Sequence, residues 1–372
     1  MPGITELAAL DLTPRAAKSL SCKRLFSLSA IMLLTACATT VTPPPGAPTS
    51  DPSAPAPATA PVSAAEERAL QELVSFQDRL YRVAGPLLVK NPELCKNNAR
   101  NLLGFTAKNK FSYSADFVNA AQKSFGLNER LQVMGVLADS GAARAGVRRG
   151  DILLKVEDKT LPEGENAERQ AAAILAPLVT ERSRVKLSVL RGNATASLDV
   201  PLTYACAFGI ELGNTDNVTA YADGHRVLVT RGMLNYVRSD EELAYVMAKE
   251  MAHNALAHAA RLRMSATIGG IIDNLTRMHP DMSTMVGLAG VKPMPQDLDA
   301  MADKLSLYML ARAGYGIDNT VAFWKRLASQ YPATVLNGYV AMHPSTAYRT
   351  AAMEATIKDI KAKQAKNRPL LP

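Results

Sequence analysis

Residues 38–63 carry eight prolines in 26 positions among Ala, Thr and Ser, and no other stretch limits the fold so sharply. Proline removes backbone donors, and its small neighbours offer nothing to bury. The composition therefore predicts an extended, polyproline-like tether reaching roughly 80 Å at about 3.1 Å per residue. It divides the 372-residue chain into a short leader and a long C-terminal portion, and every packed core must lie in the latter. With 48% apolar residues, that portion is long enough for two globular domains of ordinary size.

The leader reads as a targeting segment. Lys18, Lys23 and Arg24 precede a run of ten mostly apolar residues from Leu25 to Leu34. That is too short to span a bilayer as a helix and the right size for a signal-peptide core. The run ends in Leu34-Thr35-Ala36-Cys37, which resembles the lipobox of bacterial lipoproteins. The resemblance implies that residues 1–37 form a signal peptide and lipobox, and that Cys37 becomes the lipidated first residue of the mature chain. It also implies an outer-membrane lipoprotein facing the periplasm, because Ala38 follows the cysteine. Of the four cysteines, Cys22 then leaves with the leader and Cys37 carries lipid. Cys95 and Cys206 remain, to pair in an oxidising compartment or to stay as two buried thiols. The formal charge of +8 comes from scattered Lys and Arg with no nucleic-acid motif, so it reads as a solvated surface and excludes a nucleic-acid partner.

Residues 64–101 read as a helical lead-in. Leu70, Leu73, Val74, Leu80 and Tyr81 recur at helical spacing between Ala65 and Ala84, and Gly85-Pro86 is the expected stop. The pattern then changes to short strands, expected at Leu131–Leu137, Asp151–Val156, Val185–Leu190 and Ala196–Val200. Leu102-Leu103-Gly104-Phe105, Val133-Met134-Gly135-Val136 and the run from Ser140 to Asp151 together resemble a PDZ domain of the bacterial protease-associated type, over residues 102–205. The resemblance implies a peptide-binding site at Leu103, Gly104 and Phe105. There a glycine-containing loop offers N–H groups to a peptide carboxylate and an adjacent strand edge pairs with the peptide backbone.

Residues 206–372 carry the chemistry. Asp223-Gly224 between extended runs signals a hairpin, and Ser239 with Glu242 signals a capping box opening a helix to about Arg263. That helix contains Lys249-Glu250-Met251-Ala252-His253-Asn254. With the Asp299–Asp303 segment, Ala311-Arg312-Ala313-Gly314-Tyr315 and His343-Pro344-Ser345-Thr346 running to Arg349, it resembles the HtpX-like gluzincin zinc metallopeptidases. In that family two His at i and i+4 of a helix bind zinc, the Glu after the first His activates water, and a Glu from an ExxxD segment is the third ligand. Carried over by position, the resemblance implies Glu250 as general base, His253 and Asp299 as metal ligands, and Asp303 and Arg349 as supporting groups. Asp299 stands where a longer Glu belongs, and Lys249 stands where the first His belongs. To ligate zinc, a lysine of ordinary pKa must lose its proton, which costs about 4–5 kcal/mol at pH 7. The expected alternative is that the Lys249 ammonium fills the vacated position and pairs with Asp299, with Glu250 as the expected second carboxylate.

The other histidines have blander expectations. His258, five residues beyond His253, falls about 140° around a continuous helix and should pack or cap rather than face the same metal. His343 is either a substitute ligand or a loop anchor, and His225 and His279 read as surface residues. The Met residues from Met264 to Met301 suit a pliable apolar wall.

The expected architecture is α+β: a PDZ-like, β-rich domain followed by a mostly helical gluzincin-type domain with a small sheet. Two function classes follow. One is a binding protein, a peptidase-like lipoprotein that holds envelope polypeptides with no metal. The other is an active zinc metalloendopeptidase with a rebuilt site of His253, Asp299 and His343 and Glu250 as base. A purely structural lipoprotein is a third outcome.

Overall fold

The computed structural model describes residues 63–283, 293–331 and 343–372. The leader, Cys37 and the proline-rich segment lie outside the described residues. Helix α1 (Ala64–Val89) opens on a capping box: the Glu66 N–H donates to Ser63 Oγ at 3.1 Å, and the Ser63 N–H donates to Glu66 Oε2 at 3.2 Å. The helix runs through Gly85-Pro86, where the sequence predicts a stop. Leu87 and Leu88 are buried in the last turn, and their packing offsets the one helix bond that proline cannot make.

After α1 the chain enters a two-stranded ribbon, β1 (Ala99–Leu102) against β8 (Thr203–Cys206), with Ala99 opposite Cys206. A disulfide joins Cys95 to Cys206 at a Cα separation of 5.6 Å, and both residues are buried. Everything between β1 and β8 is thus an insertion whose entry and exit are tied at one neck. Helix α1 lies outside that insertion. Its Leu70, Leu80 and Leu87 share one core with Leu212, Leu243, Met251 and Leu307, so the expected lead-in is an integral wall of the C-terminal core.

The insertion is built on a six-stranded sheet of β2 (Phe105–Lys108), β3 (Gln132–Val136), β4 (Ile152–Val156), β5 (Lys159–Thr160), β6 (Arg184–Arg191) and β7 (Ala194–Pro201). The order is β2-β3-β4-β6-β7 with β5 on β4, which leaves β2 at an edge. Helices α2 (Val118–Phe125), α3 (Gly141–Arg144) and α4 (Ala167–Glu181) complete it. Its own core gathers Leu103, Phe105, Ala107, Val133, Leu153, Leu175, Leu187 and Val189. Gly141 has no substitute, since a Cβ there would stand 1.7 Å from the Pro201 carbonyl oxygen. Asp151, 1% exposed, takes Arg191 on both carboxylate oxygens at 2.7 Å and the Arg148 N–H at 2.9 Å.

The C-terminal portion has a three-stranded sheet, β9 (Gly209–Gly213), β10 (Ala220–Ala222) and β11 (Arg226–Thr230), in the order β10-β11-β9. The β10–β11 hairpin turns at Asp223-Gly224 as its sequence signals. Helices α5 (Arg231–Tyr236), α6 (Asp240–Ala255), α7 (His258–Arg261), α8 (Ser265–Leu275), α9 (Gln296–Arg312), α10 (Thr320–Gln330) and α11 (Ala347–Ala365) surround it. Only half of the predicted capping box forms at α6. Ser239 Oγ accepts from the Glu242 N–H at 3.1 Å, but the Glu242 carboxylate takes the Arg238 N–H at 2.8 Å. The helix also ends at Ala255 rather than near Arg263, because Ala257 adopts the left-handed region (φ 55°) and starts a new turn at His258. Met264 and Met294 are buried, whereas Met282 and Met301 are each 45% exposed and form no wall. His225 and His279 are exposed. Among the described residues no helix is long and apolar enough to cross a membrane.

Two outcomes follow from this architecture. Replacing Cys206 by Ser frees a cross-link spanning 111 residues of sequence. It should cost about 2–5 kcal/mol, read as a lower melting temperature that reductant does not lower further. Acid stability has a defined source at Asp151. Burial alone would raise its carboxyl, but the Arg191 hydrogen bonds and the Arg148 N–H bring it below the ordinary value. A depressed folded pKa contributes stability that is complete above about pH 4 and is lost as pH falls through the folded value. Asp151→Asn should therefore lower stability at neutral pH and flatten the decline of melting temperature below pH 4.

Candidate functional site

Helix α6 presents Lys249, Glu250 and His253 to the interior, with all three at most 3% exposed. The helix is fixed against the sheet by Asn254, whose Oδ1 accepts the Gly224 N–H at 2.6 Å and whose Nδ2 donates to the Arg226 carbonyl at 2.9 Å. Helix α9 brings Asp299 and Asp303, four residues apart and on one face, both at most 1% exposed. The third contributor is the segment entering α11. Thr346 caps that helix by accepting the Arg349 N–H at 3.2 Å, which sets Arg349 in the first turn beside His343.

These groups converge on the two aspartates. Lys249 Nζ lies 2.8 Å from Asp299 Oδ1 and 2.6 Å from Asp303 Oδ1, with the Trp324 ring centroid 5.2 Å away. Arg349 reaches Asp303 Oδ2 through Nε at 2.7 Å, Asp303 Oδ1 through Nη2 at 3.0 Å and Asp299 Oδ2 through Nη1 at 2.9 Å. The same Nη1 donates to the carbonyls of His343 and Pro344 at 3.0 and 2.8 Å. His343 Nδ1 is 2.8 Å from Asp299 Oδ1, and its Nε2 is 3.7 Å from Glu250 Oε1. His253 Nε2 approaches Asp299 Oδ1 to 3.2 Å without a hydrogen bond, and Glu250 Oε1 is buried with no hydrogen-bond partner in the described structure. The expected Lys249 pair with Asp299 therefore comes with Asp303 as its second carboxylate, in the place expected of Glu250.

His258 packs in the interior as expected, but by a different geometry. The 140° argument assumed a continuous helix, but the turn at Ala257 folds His258 back so that its Nδ1 lies 2.9 Å from His253 Nδ1. His258 is 0% exposed and steadies the ring of His253. Trp324 carried no sequence signal beyond being the only tryptophan of the chain.

Burial sets the charge states. It pushes the Glu250 carboxyl up to about 7, against the pull of His253 and Lys249 and with the Asp299 charge adding to the rise. Burial also holds His253 and His343 below the ordinary histidine range and pushes His258 down to about 3. Burial alone would raise Asp299, yet Lys249 and His343 beside it hold it well below the usual carboxylate range. By geometry, the Lys249 and Arg349 cations face the Asp299 and Asp303 carboxylates, with the imidazoles and the Glu250 carboxyl beside them.

His253, Asp299 and His343 each offer one ligand atom within 4.8 Å of the others, a grouping of the kind that holds a metal ion. The details do not fit zinc. Asp299 Oδ1 already takes the Lys249 ammonium and His343 Nδ1, each at 2.8 Å, and Asp299 Oδ2 faces the Arg349 guanidinium. A dication on Asp299 would sit beside both of these cations, although Asp299 Oδ2 and His253 Nε2 are buried without a hydrogen-bond partner among the described residues.

Residues 188–357 match the model of Peptidase family M48, a zinc metallopeptidase family, in a span running from within β6 into α11. The mitochondrial metalloendopeptidase OMA1 of Arabidopsis thaliana is 28% identical over 131 residues, 32% of this chain and 25% of that protein. The beta-barrel assembly-enhancing protease of Yersinia pestis is 26% identical over 193 residues, 46% of this chain and 38% of that protein. The chain thus spans well under half the length of either relative. Among solved structures, the HtrA3 PDZ domain bound to a phage-derived ligand is 20% identical with a TM-score of 0.21, covering 28% of this chain and 86% of that one. The HtrA-type protease AlgW with a decapeptide is 24% identical with a TM-score of 0.21, covering 28% of this chain and 30% of that one. At that TM-score neither structural likeness bears on the fold.

Arg349→Met leaves Asp299 and Asp303 with one cation between them in a dry setting. A loss of about 3–5 kcal/mol is expected, measured by denaturant unfolding with the slope unchanged.

Proposed function

We propose that this chain is a periplasmic lipoprotein of the cell envelope, anchored in the outer membrane through Cys37, that binds envelope polypeptides without hydrolysing them. The observation that carries this reading is Lys249, buried and paired to two carboxylates at the position where a metallopeptidase of this kind needs its first histidine. Without a fitting metal, Glu250 has no activated water to deprotonate.

The binding surface is the carboxylate loop of the PDZ-like insertion. The Gly104 carbonyl is held by the Leu137 N–H at 2.9 Å and by Ser140 Oγ at 3.3 Å. Among the described residues, neither Leu103 nor Gly104 donates its N–H to another backbone group, and β2 beside them is an edge strand beginning at Phe105. N–H groups with no backbone partner at a loop beside an edge strand suit capture of an extended chain end, and because Leu103, Gly104 and Phe105 are buried beside Tyr81 and Leu88 of α1, that capture requires α1 to give way. The partners are unassembled or damaged envelope proteins, and nucleic acid is not among them.

One observation favours the second reading, an active zinc endopeptidase: His253, Asp299 and His343 do cluster. In it they hold the metal and Glu250 acts as base.

Both readings meet in one pair of assays. Peptides ending in a free apolar carboxylate should bind in fluorescence polarisation, and amidating the terminus should weaken them at least tenfold, about 1.4 kcal/mol. Gly104→Ala should abolish binding, because Gly104 sits at φ 83° and a Cβ there would stand 2.6 Å from Ser140 Cβ. Casein should remain intact. Cleavage that stops with a chelator and in Glu250→Gln would replace this reading with the endopeptidase.

A further inference from the structure

We propose that the ammonium of Lys249 does the structural work that a metal ion does in a metallopeptidase of this kind, as the internal cation that joins helices α6, α9 and the start of α11 into a metal-independent unit. A zinc ion in such a place would link side chains from the same three elements. Here the links are made by Lys249 from α6, Asp299 and Asp303 from α9, and Arg349 from α11, with every ion contact at 3.0 Å or less. All four side chains are at most 3% exposed, so each charge has lost its water and depends on its partners.

Three features of the arrangement make the lysine a substitute rather than a vacancy. Its charge is balanced within the cluster, with two cations on two carboxylates. Its ammonium bridges Asp299 and Asp303, so one side chain holds both carboxylates of α9, as a metal with its supporting carboxylate would. Its open face is covered by the Trp324 ring, a favourable surface for a desolvated ammonium. A divalent ion bound by Asp299 would sit beside two fixed cations that lie 2.8 and 2.9 Å from its oxygens.

The inference rests on the reading of the site as non-hydrolytic, but it fails separately. The test is thermal unfolding of the purified protein with and without chelator and with added zinc, alongside Lys249→His and Lys249→Met. The native melting temperature should not move in either solution. Lys249→His should melt lower than native and regain stability as zinc is added, because it trades the internal ammonium for a vacant ligand position. Lys249→Met should lose stability that zinc does not restore. Combining it with Asp303→Asn should cost less than the two single losses summed, because the partner left behind has been neutralised. A native melting temperature that falls with chelator overturns the proposal, and the binding reading then stands only if peptides with a free carboxylate still bind and casein stays intact. Additive losses in the double variant also overturn it, and they decide the matter if Lys249→His does not fold. Peptide hydrolysis by the native protein would instead overturn the reading beneath it.

Discussion

The contact of Lys249 with Asp299 and Asp303 is the interaction on which the C-terminal portion depends. Helices α6 and α9 each turn a charged face inward, which costs several kcal/mol per ion unless the charges meet partners. The four-group cluster makes those faces compatible. It positions the N-terminal half of α9, draws in the first turn of α11 through Arg349, and orients His343 and His253 around Asp299. Remove the lysine and the helices retain their apolar contacts, but two carboxylates are left facing one guanidinium.

The second constraint is the neck. The disulfide and the β1–β8 ribbon hold the six-stranded insertion where it leaves the C-terminal core, and α1 braces it from outside. Gly85 of α1 approaches the insertion closely enough that a Cβ would lie 3.6 Å from the Ala138 backbone nitrogen. Lys90 at the end of α1 pairs with Asp139 at 2.9 Å, and Arg149 pairs with Asp78 at 2.5 Å. On its other side α1 caps the site helix, since Arg79 and Arg82 both pair with Asp240 at 2.9 Å. One helix therefore contacts both the six-stranded insertion and the N-terminus of the helix bearing Lys249.

Much of this was legible in the sequence because local chemistry decided it. The strands of the insertion, the Asp223-Gly224 hairpin and the Ser239 cap are fixed by periodicity and turn residues a few positions apart. The readings that failed depended on distant packing. Pro86 does not stop α1, because Leu87 and Leu88 are buried against residues far along the chain. The helix at Lys249 stops early because Ala257 accepts a left-handed conformation that its residue type does not favour, and this returns His258 to His253. The partner of Lys249 was readable to one carboxylate, since the family resemblance implied a place for Asp299. Asp303 in the place of Glu250, with Trp324 as a cover, needed the relative rotation of α6, α9 and α10, which no local pattern encodes. The segments before Met294 and before His343 include residues outside the described set.

The most direct measurement is elemental analysis of zinc on the native protein, purified without chelator. The account predicts far less than one zinc per chain, because the Lys249 ammonium and the Arg349 guanidinium stand 2.8 and 2.9 Å from the two oxygens of Asp299. A stoichiometry near one zinc per chain would contradict it, and would mean that His253, Asp299 and His343 release those cations to bind the metal.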